Sequence, residues 1–195
     1  MTKGTVKSIL LVGVGGQGTI LAAKILTQGL MEAGHDVKMS EIHGMSQRGG
    51  SVSSQVRYGE KVYSPVIERG SADLLVSFEK MEALRWLEYA KKDAKAVVND
   101  CEIMPMPVII GSAAYSGGIL DELKARIDTT VIDAADEAGK LGNPRVMNII
   151  LLGAAAKLIG IDNLDWDGII SANVKPAFAE INKQAFKRGT ELCAI

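Results

Sequence analysis

The sequence predicts an α/β chain: a Rossmann-like, three-layer fold with a mostly parallel sheet and an inserted antiparallel β-hairpin. Three observations carry that prediction. The apolar run Ile9-Leu10-Leu11-Val12 meets four glycines within residues 13–18, and an amphipathic helical pattern follows at once. Strand-like and helix-like stretches then alternate along most of the chain. One stretch, residues 51–58, instead alternates apolar and polar positions, as an antiparallel strand does.

Length and composition frame these elements. The 195 residues fit one domain, 1–195, and no linker, repeat or low-complexity segment divides them. With 47% apolar and 23% charged residues the chain can bury a full core, which excludes disorder. A net charge of −1 provides no field that would recruit nucleic acid or an anionic membrane. The apolar run over residues 149–156 stops at Lys157, far short of the roughly 20 residues of a membrane span. Lys3 and Lys7 precede too few apolar residues for a secretory signal, and two distant cysteines, Cys101 and Cys193, suit a reducing cytoplasm. Two thiols are too few for an iron–sulfur cluster or a four-ligand zinc site held by this chain alone.

Taken in order, residues 7–14 read as a buried strand and 17–33 as a helix closed by Gly34, with Leu21, Ile25, Gln28 and Glu32 at helical spacing. Residues 36–42 form a second strand, so the unit predicts a right-handed crossover and a parallel pair. After the glycine-rich stretch 43–50, residues 51–58 place Val52, Val56 and Tyr58 on one face and Ser53, Gln55 and Arg57 on the other. Gly59-Glu60 is expected to turn this strand into a partner over residues 61–64, closed by Pro65. Residues 72–78 are a strand. Residues 79–92 then read as a helix, with Met81, Leu84, Leu87 and Ala90 inward and Glu82, Arg85, Glu88 and Lys91 outward. Residues 96–99 form a strand, and Met104-Pro105-Met106-Pro107 an irregular connector before Val108-Ile109-Ile110. A short helix carries Ile119, Leu120, Leu123 and Ile127, and a strand spans 129–133. Asn143 and Pro144 open the most apolar helix, which runs to about residue 159. A terminal helix over 176–188 presents Phe178, Ile181 and Ala185.

Glycines 13, 15 and 18 match the GxGxxG spacing of a strand–turn–helix phosphate cradle, in which backbone N–H groups meet an anion at a helix N-terminus. Gly16 and Gln17 complete the loop. Glu41, 23 residues beyond Gly18, occupies the position from which an acid would bind ribose hydroxyls. These features alone admit a stand-alone NAD(P)-dependent Rossmann dehydrogenase or a non-catalytic nucleotide-binding module. Against the dehydrogenase stand the hairpin and the lack of any legible hydride-transfer or nucleophile–base constellation. His35 reads as a surface residue, whereas His43 borders the second glycine loop. In that loop Ser46 and Arg48 precede Gly49 and Gly50; a guanidinium flanked by glycines suits either bidentate recognition of phosphate or carboxylate or bracing of the turn against a carboxylate or a helix C-terminus. Both loops follow strands expected to run in the same direction, so both are expected at one edge of the sheet.

At these motifs a family resemblance enters. Gly13-Val14-Gly15-Gly16-Gln17-Gly18, the run from Glu41 through His43-Gly44-Met45-Ser46-Gln47-Arg48-Gly49-Gly50 to Val52, and Ala72-Asp73-Leu74-Leu75 together resemble the gamma-type subunit of 2-oxoacid:ferredoxin oxidoreductases. Residues 143–153, NPRVMNIILLG, are similar to that family's penultimate helix. The resemblance spans the chain, and the HGMSQRGG wording is similar to the indolepyruvate branch. It implies a non-autonomous subunit that takes part in coenzyme A-dependent oxidative decarboxylation of 2-oxoacids with reduction of ferredoxin. Thiamine pyrophosphate and iron–sulfur clusters are then expected on a larger partner subunit, coenzyme A enters as co-substrate, and ferredoxin is met through the complex. The glycine loop and Arg48 carry over as ligand or interface candidates, with no catalytic residue and no metal site named on this chain.

Overall fold

β1 (Lys7–Val14) alternates its side chains between two cores: Ile9 and Leu11 enter one, Leu10 and Val12 the other. Burial on both faces explains why its sequence is a continuous apolar run. The computed structural model describes residues 6–43, with His43 as backbone only, and residues 49–193. After β1 come α1 (Thr19–Glu32), β2 (Asp36–His43), β3 (Ser51–Gly59), β4 (Ala72–Ser77), α2 (Lys80–Trp86) and β5 (Ala90–Asn99). They are followed by α3 (Met106–Ile109), α4 (Ile119–Arg126), β6 (Asp128–Ile132), α5 (Ala134–Lys140), α6 (Met147–Ile159), α7 (Trp166–Asn173) and α8 (Ala179–Leu192). The strands form one sheet in the order β2-β3-β1-β4-β5-β6. α1, α5, α6, α7 and α8 contribute to the core on one face, and α2 and α4 to the core on the other, which gives three layers.

The expected parallel pairing of the first two strands is replaced by a different arrangement. β3 lies between β1 and β2 and runs antiparallel to both, with Leu11 opposite Ser54 and Glu41 opposite the same Ser54. α1 still returns β2 in the direction of β1, but one strand further out. The antiparallel hairpin is therefore β2–β3. Residues 61–64 are not a strand, because both edges of β3 are already occupied. Side chains satisfy that segment instead: Val62 N–H donates to Asp36 Oδ2 at 2.9 Å, and Arg57 donates to the Ser64 and Val66 carbonyls at 3.0 and 3.2 Å.

The helix expected over 79–92 ends at Trp86, passes through a 3-10 turn at Leu87–Tyr89 and becomes β5. Gly70 N–H donates to the Glu88 carbonyl and Ser71 N–H to the Tyr89 carbonyl, at 2.9 and 3.0 Å, so those carbonyls leave the helical ladder. Glu82, expected outward, is buried. The apolar stretch 108–110 falls in the end and C-cap of a single helical turn, α3, and Met106, Ile109 and Ile110 are exposed. His35 is half-buried rather than at the surface, its ring edge-to-face with Tyr58 at 5.1 Å.

α6 is the apolar helix that the sequence predicts. Asn143 Oδ1 accepts from Arg145 N–H at 3.1 Å, a 3-10 turn spans Pro144–Val146, and nine consecutive residues from Asn148 to Ala156 are buried. α8 crosses it closely. A Cβ on Gly153 would collide with the Phe186 carbonyl, and one on Gly189 with the Ile150 carbonyl, so glycine on each helix permits the contact. α5 and α7 carry no strong pattern in the sequence. With α7 present, α6 is third from the end rather than penultimate. Phe178 falls in a 3-10 turn ahead of α8 and is 46% exposed, so Ala185 and Phe186 make the docking stripe.

Candidate functional site

β1, β4, β5 and β6 are parallel, so the loops that follow them share one edge of the sheet. β3 begins at that edge because it is antiparallel to β1. The first glycine loop and the end of the second meet there: Gly15 N–H donates to the Gly50 carbonyl at 2.9 Å. The common rim expected from the sequence is thus present among the described residues. The His43 side chain, Ser46 and Arg48 lie outside them.

Within the first loop the candidates divide. Gly13 is packed, since a Cβ there would lie 2.9 Å from both Phe78 Cβ and Gln17 Oε1. Gly18 has φ +80° and caps α1, and a Cβ there would come within 2.6 Å of Asn148 Nδ2. That amide donates to the Gly18 carbonyl at 3.2 Å, tying α6 to the start of α1. Gln17 is also committed to the framework. Its Oε1 accepts from Val14 N–H at 2.8 Å, and its Nε2 donates to the Phe78 carbonyl at 2.7 Å. Asn99 at the end of β5 donates to that same carbonyl at 3.1 Å and accepts from Ala134 N–H at 2.9 Å. Gly15 is half-buried with its N–H committed to Gly50, so Gly16 remains as the open part of the loop. Gly16 is exposed, with φ +104° and free space around its Cα.

Glu41 does not sit where a ribose-binding acid would. β3 separates β2 from β1, which displaces Glu41 by a further strand spacing of about 4.8 Å from the glycine loop. Its side chain is half-buried on the strand, with Oε1 buried and unpartnered among the described residues.

Two carboxylates are built into the rim: Glu79, at the start of the expected helix, and Glu82, expected outward. Glu79 is 1% exposed and caps α2, its Oε2 accepting from Glu82 N–H at 2.8 Å. Its Oε1 accepts from Ile103 N–H at 3.3 Å and from the Tyr115 hydroxyl. Burial, and then this bond to a carboxylate, push the Tyr115 hydroxyl well above the usual phenol range, so it stays a donor. Glu82 accepts from Ser51 Oγ at 2.5 Å and from Arg85 at 2.6 Å. Beside them Lys80 is held by Glu102 and Asp100 at 2.8 and 2.9 Å. The one sequence signal for this cluster is an acid directly after a strand with a second acid three residues on, an N-cap spacing. The tertiary partners of both acids come from segments that nothing in the local pattern connects to them.

Burial pushes both the Cys101 and the Cys193 thiols up, which disfavours thiolates. Among the described residues no three His, Cys, Asp or Glu side chains gather to hold a metal ion, and two cysteines do not fit a cluster of four thiolates. No helix is long and apolar enough to cross a membrane.

Comparison with known proteins agrees with this architecture. The family model described as pyruvate ferredoxin/flavodoxin oxidoreductase matches residues 8–192. The chain is 36% identical over 192 residues to the indolepyruvate oxidoreductase subunit IorB of Thermococcus kodakarensis, covering 94% of each chain. The fold is also that of the gamma subunit of a keto/oxoacid ferredoxin oxidoreductase from Geobacter sulfurreducens, with TM-score 0.71, 23% identity and coverage of 96% and 98%. A 2-oxoglutarate:ferredoxin oxidoreductase from Magnetococcus marinus contains the same fold in a longer chain, with TM-score 0.75 and 18% identity over 96% of this chain and 31% of that one. A match across nearly the whole length, on a sheet whose inserted hairpin sets it apart from a plain dinucleotide fold, places this chain in the pyruvate ferredoxin/flavodoxin oxidoreductase family.

Proposed function

We propose that this chain is the small, non-autonomous subunit of an indolepyruvate-type 2-oxoacid:ferredoxin oxidoreductase. The observation that carries the reading is the 36% identity to IorB along 94% of both chains. The rim agrees with it. Gly16 offers open backbone, while Gly15 N–H, Gln17, Glu79 and Asn148 are spent on bracing, which suits an edge that shapes a site.

On this reading the larger subunit holds thiamine pyrophosphate, which supplies the decarboxylation chemistry, and the iron–sulfur clusters that pass electrons to ferredoxin. This chain contributes one wall of the coenzyme A entrance. Gly15, Gly16, Gly49, Gly50 and Arg48, with His43 and Ser46 of the same loop, are the residues this reading assigns to the anionic groups of coenzyme A or to the partner. Gly13, Gln17 and Gly18 support that wall from behind. The complex works in the cytoplasm. The dehydrogenase alternative loses its ribose contact, because β3 separates Glu41 from the glycine loop.

Co-expression with the larger thiamine-binding subunit tests this reading. The two chains are expected to elute together on size exclusion, and the complex to bind coenzyme A in calorimetric titration. Separate elution, together with tight NAD binding by this chain alone, would return the assignment to a dehydrogenase.

A further inference from the structure

α2 begins with two buried carboxylates one turn apart, and only one of them serves the helix. Glu79 caps it. Glu82, 4% exposed, turns away to Ser51 Oγ at 2.5 Å and is met on its other oxygen by Arg85 at 2.6 Å. Holding a second carboxylate this dry costs desolvation, which an apolar residue would avoid. Its partner explains the expense. Ser51 is the first residue of β3, opposite Val14 at the end of β1, and it directly follows Gly50, whose carbonyl receives Gly15 N–H. Gly49, with φ +77°, and Gly50 offer no side chain of their own, so Ser51 is the first side chain after Arg48 able to anchor the connection. A hydrogen-bonded route therefore runs from Arg85 through Glu82 and Ser51, across the Gly50–Ser51 peptide, to the glycine loop.

We infer that Glu82 and Ser51 are positioning residues for the coenzyme A wall. They fix where the β2–β3 connection re-enters the sheet, and so the separation between Gly49-Gly50 and Gly15-Gly16. The inference rests on the assignment of this rim to the coenzyme A entrance. It assigns neither residue a contact with substrate. Their effect is on the capture of coenzyme A and not on the later chemistry.

The test uses the complex of this chain with its larger subunit, assayed for turnover against coenzyme A concentration. Ser51→Ala is expected to raise KM for coenzyme A about fivefold, the equivalent of one ordinary hydrogen bond, with kcat held within about twofold. Ser51→Thr keeps the hydroxyl and is expected to restore KM, while Glu82→Gln, which keeps an acceptor but loses charge, falls between. An unchanged KM in Ser51→Ala would overturn the inference. So would a parallel loss of kcat and of recovered complex that Ser51→Thr does not repair, because that pattern marks a brace for folding only. A wild-type complex with no coenzyme A-dependent turnover would overturn the functional reading as well, whereas an active wild type with unresponsive variants overturns this inference alone.

Discussion

The Gln17 side chain donates to the Phe78 carbonyl at 2.7 Å, from the middle of a loop whose spacing suggests a ligand cradle. Together with its bond from Val14 N–H, this makes Gln17 a clamp between the ends of β1 and β4. Gln17→Ala should lower the unfolding free energy by about 1–3 kcal/mol, since a half-buried N–H and a carbonyl lose their partner. Urea denaturation of the isolated chain measures this. Unaltered stability would mean that the amide is free for a ligand.

Gly16 and Gly18 both have positive φ, but only Gly18 lies against another side chain. Alanine at either position meets backbone strain of roughly 1–2 kcal/mol. Gly18→Ala must also displace the Asn148 amide, so it should be the more destabilising of the two in the same denaturation series. Equal losses would show that the α6–α1 tie contributes little.

Glu137 joins α5 to α8 through Arg188 at 2.6 Å and also meets Lys140 at 2.8 Å. The hydrogen bond from Arg188, then that from Lys140, holds its carboxyl down at about 2. A carboxyl depressed in the folded state adds stability that is complete above its unfolded value, near 4.3, and disappears as pH falls through 2. Glu137→Gln should therefore be less stable than wild type at pH 7, with the gap narrowing below about pH 4 and closing only below about pH 2. Urea midpoints across that range check the sign; a gap that widens toward acid would contradict it.

The proposed function assigns the positive charge of the coenzyme A wall to Arg48. In the assembled complex Arg48→Ala should weaken coenzyme A binding by about tenfold or more, the range for losing a hydrogen bond to a charged group. Calorimetric titration reads this directly. Unchanged affinity together with unchanged assembly would remove Arg48 from the wall.

The parts of this structure that were legible in the sequence are those set by local pattern. β1 was readable because both of its faces are buried, and α6 because Asn143 and Pro144 mark its start. That both glycine loops lie at one edge followed from strand direction; their contact, Gly15 N–H to the Gly50 carbonyl, depends on β3 pairing with β1. What escaped depends on sheet order. Nothing near Ser51 says that β3 inserts between β1 and β2, and that insertion removes the partner strand expected at 61–64 and moves Glu41 away from the glycine loop. Glu82 looked solvated because its helical spacing matches Arg85 and Glu88. Its true partner, Ser51, lies 31 residues away in the chain. Gln17 resembled a ligand contact because its partner, the Phe78 carbonyl, is a backbone group that no sequence motif displays.

Turnover by the separated and combined subunits tests the central claim most directly. Purified alone, this chain should not oxidise indolepyruvate or another arylpyruvate with any acceptor. Combined with the larger subunit, it should support coenzyme A-dependent release of carbon dioxide with reduction of ferredoxin. Arylpyruvate- or arylhydroxyacid-dependent turnover of a nicotinamide cofactor by this chain alone would contradict the account.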